Sequence, residues 1–415
     1  MIGDGMGFAQ IAFARTMMLE PGERWIFESF PVSGIVSTWS ASNATTDSGA
    51  AATAMAAGVK TGNWQIGTNF EGESVPSFAE IAIANGWRVG YVTTTTLTHA
   101  TPAAFYAHVE DRYADADQIA FDLIAHGADV ALGGGAAELL PEEENGDRID
   151  GRNLFREAEA EGWTVWTRMA EQTAPLPGRL LGVFADHHLA FRLDDLRLDP
   201  ERRSPSLAQL TTTALAMLTR TDEPFFLMVE GGRIDHACHS FDAAGSAYEL
   251  QDFDQAVETV VEFRRQNPAT LVVVTADHAT GGLAINDYVD WDELRRQQAS
   301  VEWMAEQVRN AGAGLEMLEE MTGYGDITTE ELATIREEPD SYEGARNLGR
   351  LLAERNGISW IPRIGQDTKG HTGEDVPLYA IGPGATRFQG VLDNTEIAER
   401  LLDVVGLAPA SDGDG

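Results

Sequence analysis

Five short apolar runs, each stopped by a polar or glycine-rich turn, constrain the fold of this chain more than any other feature. They are GWRVGYVTTTT (86–96), ADVALGGG (128–135), PFFLMVEGG (224–232), TLVVVTADH (270–278) and VPLYAIGPG (376–384). Helix-like stretches such as ADADQIAFDLIAHG (114–127) and SLAQLTTTALAMLTR (206–220) lie between them. Buried strands alternating with helices predict an α/β protein, a three-layer α/β/α sandwich around a mainly parallel sheet. Folds of this kind carry their chemistry beyond the carboxyl ends of the strands.

The rhythm breaks between 284 and 366. That segment is rich in charged and amide side chains (DELRRQQASVEWMAEQVRN, TTEELATIREE, EGARNLGRLLAERNG). It is expected to be a mostly helical insert or cap within one catalytic domain spanning 1–415. EEENGD (142–147) reads as a solvated acidic loop, and the terminal ASDGDG as disordered.

Charge narrows the partners. The chain has 66 acidic against 29 basic residues, a net charge of −37, and Lys60 and Lys369 are its only lysines. Binding to nucleic acid or to an anionic membrane surface is excluded by that field. An acid-rich, lysine-poor surface suits concentrated salt, so a halophilic protein is expected. No apolar run reaches the roughly 18–20 residues of a bilayer span. The single cysteine, Cys238, rules out an intrachain disulfide. The opening MIGDGMG has neither the charged nor the apolar region of a signal peptide. Met1-Ile2 reads as the end of a strand whose beginning is missing.

Residues suited to metal binding stand at the strand exits. Asp4 follows the first strand, Thr101 lies beyond the TTTT run, Glu230 ends FFLMVE, and Asp277-His278 end VVVTADH. In EGGRIDHACHS, Asp235 and His239 are four residues apart, so a helix presents both on one face, a spacing that suits one Zn²⁺. Ser48 stands where TTDSGAAATAMAAG (45–58) begins a small-residue helix, with Asp47 able to cap it and Gly58 able to end it. There the helix dipole and free N–H groups favour an anion.

The motifs MIGDGMG, TTDSGAAATAMAAGVKTGN, THATPAAFYAHVEDR, VEGGRIDHACH, TADHATGG and GHTGEDVP resemble, in order, those of alkaline phosphatases. The resemblance runs from residue 1 to about 382, outside the 284–366 insert. It implies two Zn²⁺ and one Mg²⁺. One zinc is expected on Asp235, His239 and His371. The second is expected on Asp4, Asp277 and His278, facing Ser48. The Mg²⁺ is expected on Asp4, Thr101 and Glu230. Arg112 matches the family arginine that grips phosphoryl oxygens. Ser48 has no G-x-S-x-G elbow, so a coordinated zinc must lower its pKa for it to attack and form a phosphoserine. Small phosphomonoesters are the implied substrates, a homodimer the implied assembly, and the periplasm or the exterior the implied location.

One departure from the best-known bacterial pattern concerns His99 and His236, which stand where that pattern has an aspartate and a lysine. Two imidazoles imply looser Mg²⁺ binding and easier phosphate release. The rival readings are a phosphodiesterase, sulfatase or phosphonate-cleaving relative, and a catalytically dead phosphate- or metal-binding protein. Other features take the plainer reading. Gly133, Gly134 and Gly135 lack a P-loop lysine and read as a strand-to-loop turn. His187 and His188 read as surface histidines, His108 and His126 as packing or surface residues. Asp47 is expected to orient Arg112 or cap its helix.

Overall fold

A single ten-stranded sheet organises the computed structural model, which describes residues 1–169, 176–365 and 367–408. The ASDGDG tail lies outside the described residues. In chain order the strands are β1 (Ile2–Gly3), β2 (Val32–Ser37), β3 (Arg88–Thr96), β4 (Val130–Gly134), β5 (Trp163–Trp166), β6 (Arg179–Val183), β7 (Phe225–Gly231), β8 (Val272–Ala276), β9 (Val376–Ile381) and β10 (Gly390–Asp393). Across the sheet they run β10-β2-β9-β8-β1-β7-β3-β4-β6-β5. Only β9 opposes its neighbours, β2 and β8; the remaining pairs are parallel. The mainly parallel sheet is as the sequence predicts, with VPLYAIGPG as its antiparallel exception.

The flanking helices are α1 (Phe8–Met18), α2 (Ser48–Ala57), α3 (Ala100–Ala103), α4 (Ala116–Ala125), α5 (Leu207–Leu218), α6 (Arg233–His239) and α7 (Ala243–Gln266). Helix α7 packs on α1, α5, α6 and β7, whereas α2 packs on α3 and on the helix Glu396–Val405. Strand β3 is buried from Val89 to Thr96, side chains of both faces included, because helices cover the sheet on either side. Phe13, Phe27, Tyr91, Phe253 and Phe388 are fully buried in the resulting core. Burying one such ring is worth about 2–3 kcal/mol.

Five strands fall outside the five apolar runs: β1, foreshadowed by Met1-Ile2, and β2, β5, β6 and β10. Strand β2 explains why. Its residues alternate between buried (Val32, Gly34, Val36) and exposed (Ser33, Ile35), so no continuous apolar run marks it.

Within 284–366 the chain is mostly helical. The main helices are α8 (Val301–Asn310), α9 (Leu315–Thr322), α10 (Thr329–Arg336) and α11 (Ser341–Asn356). Thr328 and Glu331 close a capping box on α10, and Asp340 caps α11 through the amides of Tyr342 and Glu343. Met304, Val308, Leu318, Ile335 and Leu348 form an apolar cluster separate from the main core. From α11, Arg346 reaches back to donate to the carbonyls of His239 (2.8 Å) and Lys369 (2.8 Å).

Candidate active site

Strands β8, β1, β7 and β3 are consecutive neighbours and all parallel, so their carboxyl ends open on one edge. Register aligns Ile2 with Thr275 on one side and Glu230 on the other, and Glu230 with Thr93. Asp4 thus emerges between Glu230 and the Asp277-His278 pair. Helix α6 follows β7 directly and carries Asp235 and His239; helix α3 carries Thr101. His371 arrives from a distant segment, on a short strand antiparallel to Ala279–Thr280.

The arrangement resolves into three clusters whose ligand atoms lie within 4.8 Å of one another: Asp235, His278 and His371; Asp4, Asp277 and His278; Asp4, His99 and Glu230. His239 joins the first, its Nε2 lying 3.1 Å from Asp235 Oδ2 and 3.0 Å from His371 Nε2. Thr101 touches the third, 3.4 Å from Asp4 Oδ2. Every predicted metal-ligating side chain is therefore in or beside a cluster.

The hydrogen bonds behind these atoms fix which way the lone pairs point. His239 donates from Nδ1 to the Lys369 carbonyl (3.1 Å), and His371 from Nδ1 to the Thr46 carbonyl (2.9 Å). Thr280 gives its hydroxyl proton to Asp235 and accepts from His278 Nδ1 (3.3 Å). All three imidazoles then present bare Nε2 atoms to the carboxylates, the outer-shell arrangement typical of metal-binding histidines. Asp4 Oδ1, Asp277 Oδ2, Glu230 Oε1 and His99 Nδ1 are buried without a hydrogen-bond partner. Burial first, and then the charges of Asp277, Asp235 and Glu230, push the Asp4 carboxyl well above the usual carboxylate range. Converging lone pairs and orphaned carboxylate oxygens fit bound cations.

Ser48 is the first residue of α2 and is buried, with Oγ 3.2 Å from His278 Nε2. Asp47 does both jobs expected of it. Oδ1 accepts from the Ala50 amide (2.9 Å), and Oδ2 lies 3.5 Å from Arg112. Gly58 ends the helix in the left-handed region, as its sequence position predicts. Asp47, Ser48 and Arg112 line a cleft of about 680 Å³ with Arg233, His236, Glu302, Tyr342 and Arg346.

His188 corrects the sequence reading. His187 is exposed, but His188 is half-buried and lines the cleft beside His99 and His236, with ring centroids 6.0 and 4.5 Å away. Its Nδ1 accepts from the Thr96 amide (2.9 Å), just as His236 Nδ1 accepts from Arg233 (2.8 Å). Burial lowers both imidazoles well below their ordinary range, and the Arg233 charge lowers them further. Each is thus a neutral ring with its proton on Nε2. No sequence signal marked His188, because it comes from a loop packed on the glycine run. A Cβ on Gly134 would lie 2.1 Å from the His187 carbonyl oxygen. The glycine run is a strand-to-loop turn, its Gly135 amide spent on Ala185 (3.0 Å).

Arg233 also escaped notice, although its spacing of three before His236 on a helix places the two side by side. Thr93 and Thr95, in the TTTT run, donate to Glu230 Oε2 and leave only its other oxygen free. His108 bonds Glu80 (2.8 Å) and His126 bonds Tyr91 (2.7 Å), both in packing roles.

The chain is similar to known proteins over nearly its whole length. The alkaline phosphatase family profile matches residues 1–407. Alkaline phosphatase 3 of Bacillus subtilis is 35% identical, over 97% of this chain and 87% of its own length. The Thermus thermophilus alkaline phosphatase structure superposes with a TM-score of 0.87 at 30% identity, covering 98% of this chain and 90% of the other. A TAB5 alkaline phosphatase variant with Mg bound in its M3 site superposes at 0.72 and 26% identity, covering 98% and 97%. With its fold, its ligand clusters and a match over nearly its whole length in accord, the chain belongs to the alkaline phosphatase family, metal-dependent enzymes that hydrolyse phosphate monoesters.

Proposed function

We propose that this chain hydrolyses small phosphomonoesters through a phosphoserine on Ser48, in a site holding two Zn²⁺ and one Mg²⁺. Asp235, His239 and His371 hold one zinc, and Asp4, Asp277 and His278 hold the other beside Ser48. Asp4, Thr101 and Glu230 hold the Mg²⁺, with His99 adjacent. A Mg bound in the M3 site of the TAB5 variant, in which a histidine is replaced by glutamate, supports a Mg²⁺ among the ions. When bound, the cations supply Lewis acidity that lowers the serine pKa and offsets charge on the phosphoryl group.

The chain's own residues do the rest. Asp47 spends one oxygen on the helix cap and the other on Arg112, so nucleophile and phosphate clamp are held by one carboxylate. Arg112 offers paired N–H donors to two phosphoryl oxygens. Ser48 Oγ forms a bond to phosphorus as the bond to the alcohol oxygen breaks, and the alcohol leaves. Water then displaces Oγ from phosphorus, which frees phosphate and restores the serine. His236 and His188 offer neutral Nε2–H donors to the bound phosphate.

The observation that carries this reading is Ser48 Oγ 3.2 Å from His278 Nε2, where the first two clusters meet. Residues 284–366 act as a cap, supported by their separate apolar cluster and by Glu302, Tyr342 and Arg346 in the cleft wall. Among the described residues no helix is long and apolar enough to cross a membrane. A homodimer working in the periplasm or outside the cell completes the proposal. Acid quenching during turnover, followed by peptide mapping, tests the chemistry. The phosphate is expected on Ser48, and Ser48→Ala should lose several decades of activity. A serine variant that turns over like wild type would overturn the covalent route.

A further inference from the structure

Beside the residues proposed to bind phosphate, the cleft carries an aromatic surface that ester hydrolysis alone does not need. Trp64 and Tyr113 both line it, 38% and 58% exposed, with ring centroids 6.2 Å apart and planes at 78°. The guanidinium carbon of Arg112 lies 5.1 Å from the Tyr113 ring centre, and Lys369 Nζ lies 5.3 Å from it. A chain with two lysines and a charge of −37 has thus put one of them here.

Trp64 occupies this place against its backbone preference. Its φ is 75°, in the left-handed region that a bulky residue adopts only where the surroundings force it. Its carbonyl accepts from the Arg112 amide (2.9 Å), and its indole N–H donates to the Asp367 carbonyl (3.2 Å). The polar handle of the indole is already spent, so what remains to offer is ring surface. Lys369 is also left-handed, with φ 55°, and its carbonyl is held by Arg346 and His239. Two costly backbone conformations flank one exposed aromatic ring, next to the proposed phosphate clamp.

We propose that Trp64 and Tyr113 form a stacking subsite for the base of a nucleoside 5′-monophosphate whose phosphoryl group sits at Ser48 and Arg112. This rests on the function proposed above. Aromatic rings take any base by its π-face, and the adjacent cations favour an anionic ligand. The Tyr113 ring is set off from the proposed phosphoryl position by the Arg112 guanidinium, whose carbon lies 5.1 Å from the ring centre. That offset suits a ring separated from phosphate by a sugar, not one bonded to the ester oxygen.

Steady-state kinetics on the metal-loaded enzyme test it, with adenosine 5′-monophosphate, ribose 5-phosphate and phenyl phosphate as substrates. Stacking one base is worth about tenfold or more in affinity. The wild-type KM for adenosine 5′-monophosphate should therefore be about tenfold below that for ribose 5-phosphate. Tyr113→Ala should erase that gap by raising the nucleotide KM alone, and Tyr113→Phe should keep it. Trp64→Ala should act in the same direction. Equal wild-type KM values, an equal rise for both substrates in Tyr113→Ala, or a lower KM for phenyl phosphate than for the nucleotide would overturn the subsite. Loss of the Ser48 phosphoenzyme with the KM gap intact would count against the proposed chemistry and leave the subsite standing.

Discussion

The Nε2 atoms of His239 and His371 lie 3.0 Å apart, and each ring has given its Nδ1 proton to a main-chain carbonyl. Two lone pairs facing each other beside Asp235 repel unless a cation lies between or beside them. Chelation should therefore remove stability along with activity. We expect a lower melting temperature and lost monoester hydrolysis after a strong chelator, both restored by Zn²⁺ with Mg²⁺. Unchanged melting in a sample shown to be metal-free would contradict the reading of these pairs.

On the function proposed above, the histidine group at His99, His188 and His236 should set how phosphate leaves. A neutral imidazole at 236 holds product less tightly than a lysine would, and release often limits turnover in enzymes. His99→Asp combined with His236→Lys should tighten both phosphate inhibition and Mg²⁺ binding while slowing alkaline turnover. His188→Ala removes one N–H donor and should weaken phosphate inhibition about tenfold, with a smaller change in kcat. Identical inhibition constants in wild type and His188→Ala would remove that residue from the phosphate site.

Glu249 on α7 makes stability fall as pH rises from about 4.5 to about 8. Burial, opposed by the Arg192 amide that donates to it and reinforced by nearby Asp252, raises its carboxyl to about 8. The folded state therefore holds this proton more tightly than the unfolded chain, whose glutamate titrates near 4.5. The stability so gained is complete below about pH 4.5 and is lost as pH rises through 8. Glu249→Gln keeps an acceptor for Arg192 without the charge. Its melting temperature should gain on wild type by about 2 °C or more between pH 6 and pH 9. A constant difference across that range would mean Glu249 does not titrate there.

A net charge of −37 predicts stabilisation by salt. Of its two lysines, Lys60 is engaged locally, donating to the Trp39 carbonyl (2.7 Å) and lying 3.2 Å from Asp393. The screening length falls from about 10 Å at 0.1 M to about 3 Å at 1 M salt, which weakens surface repulsion more than buried contacts. Melting temperature should climb over that range in NaCl. A flat or falling curve would argue against salt adaptation.

The sequence by itself determined the α/β class, the ends of α2 and the identity of the ligand-type residues. Those properties are local. Strand runs, Asp47 before a run of small residues, Gly58 after it, and a four-residue spacing between Asp235 and His239 act through near neighbours in the chain. Only the tertiary structure decided that β8, β1, β7 and β3 stand side by side, because strand order follows from packing across the whole sheet. The same holds for His188, whose place depends on Gly134 lacking a side chain under a loop some fifty residues later. It holds also for the direction of each imidazole. His371 points its bare nitrogen at Asp235 because a carbonyl 325 residues away accepts a hydrogen bond from the N–H of its other nitrogen. No window of sequence contains both partners.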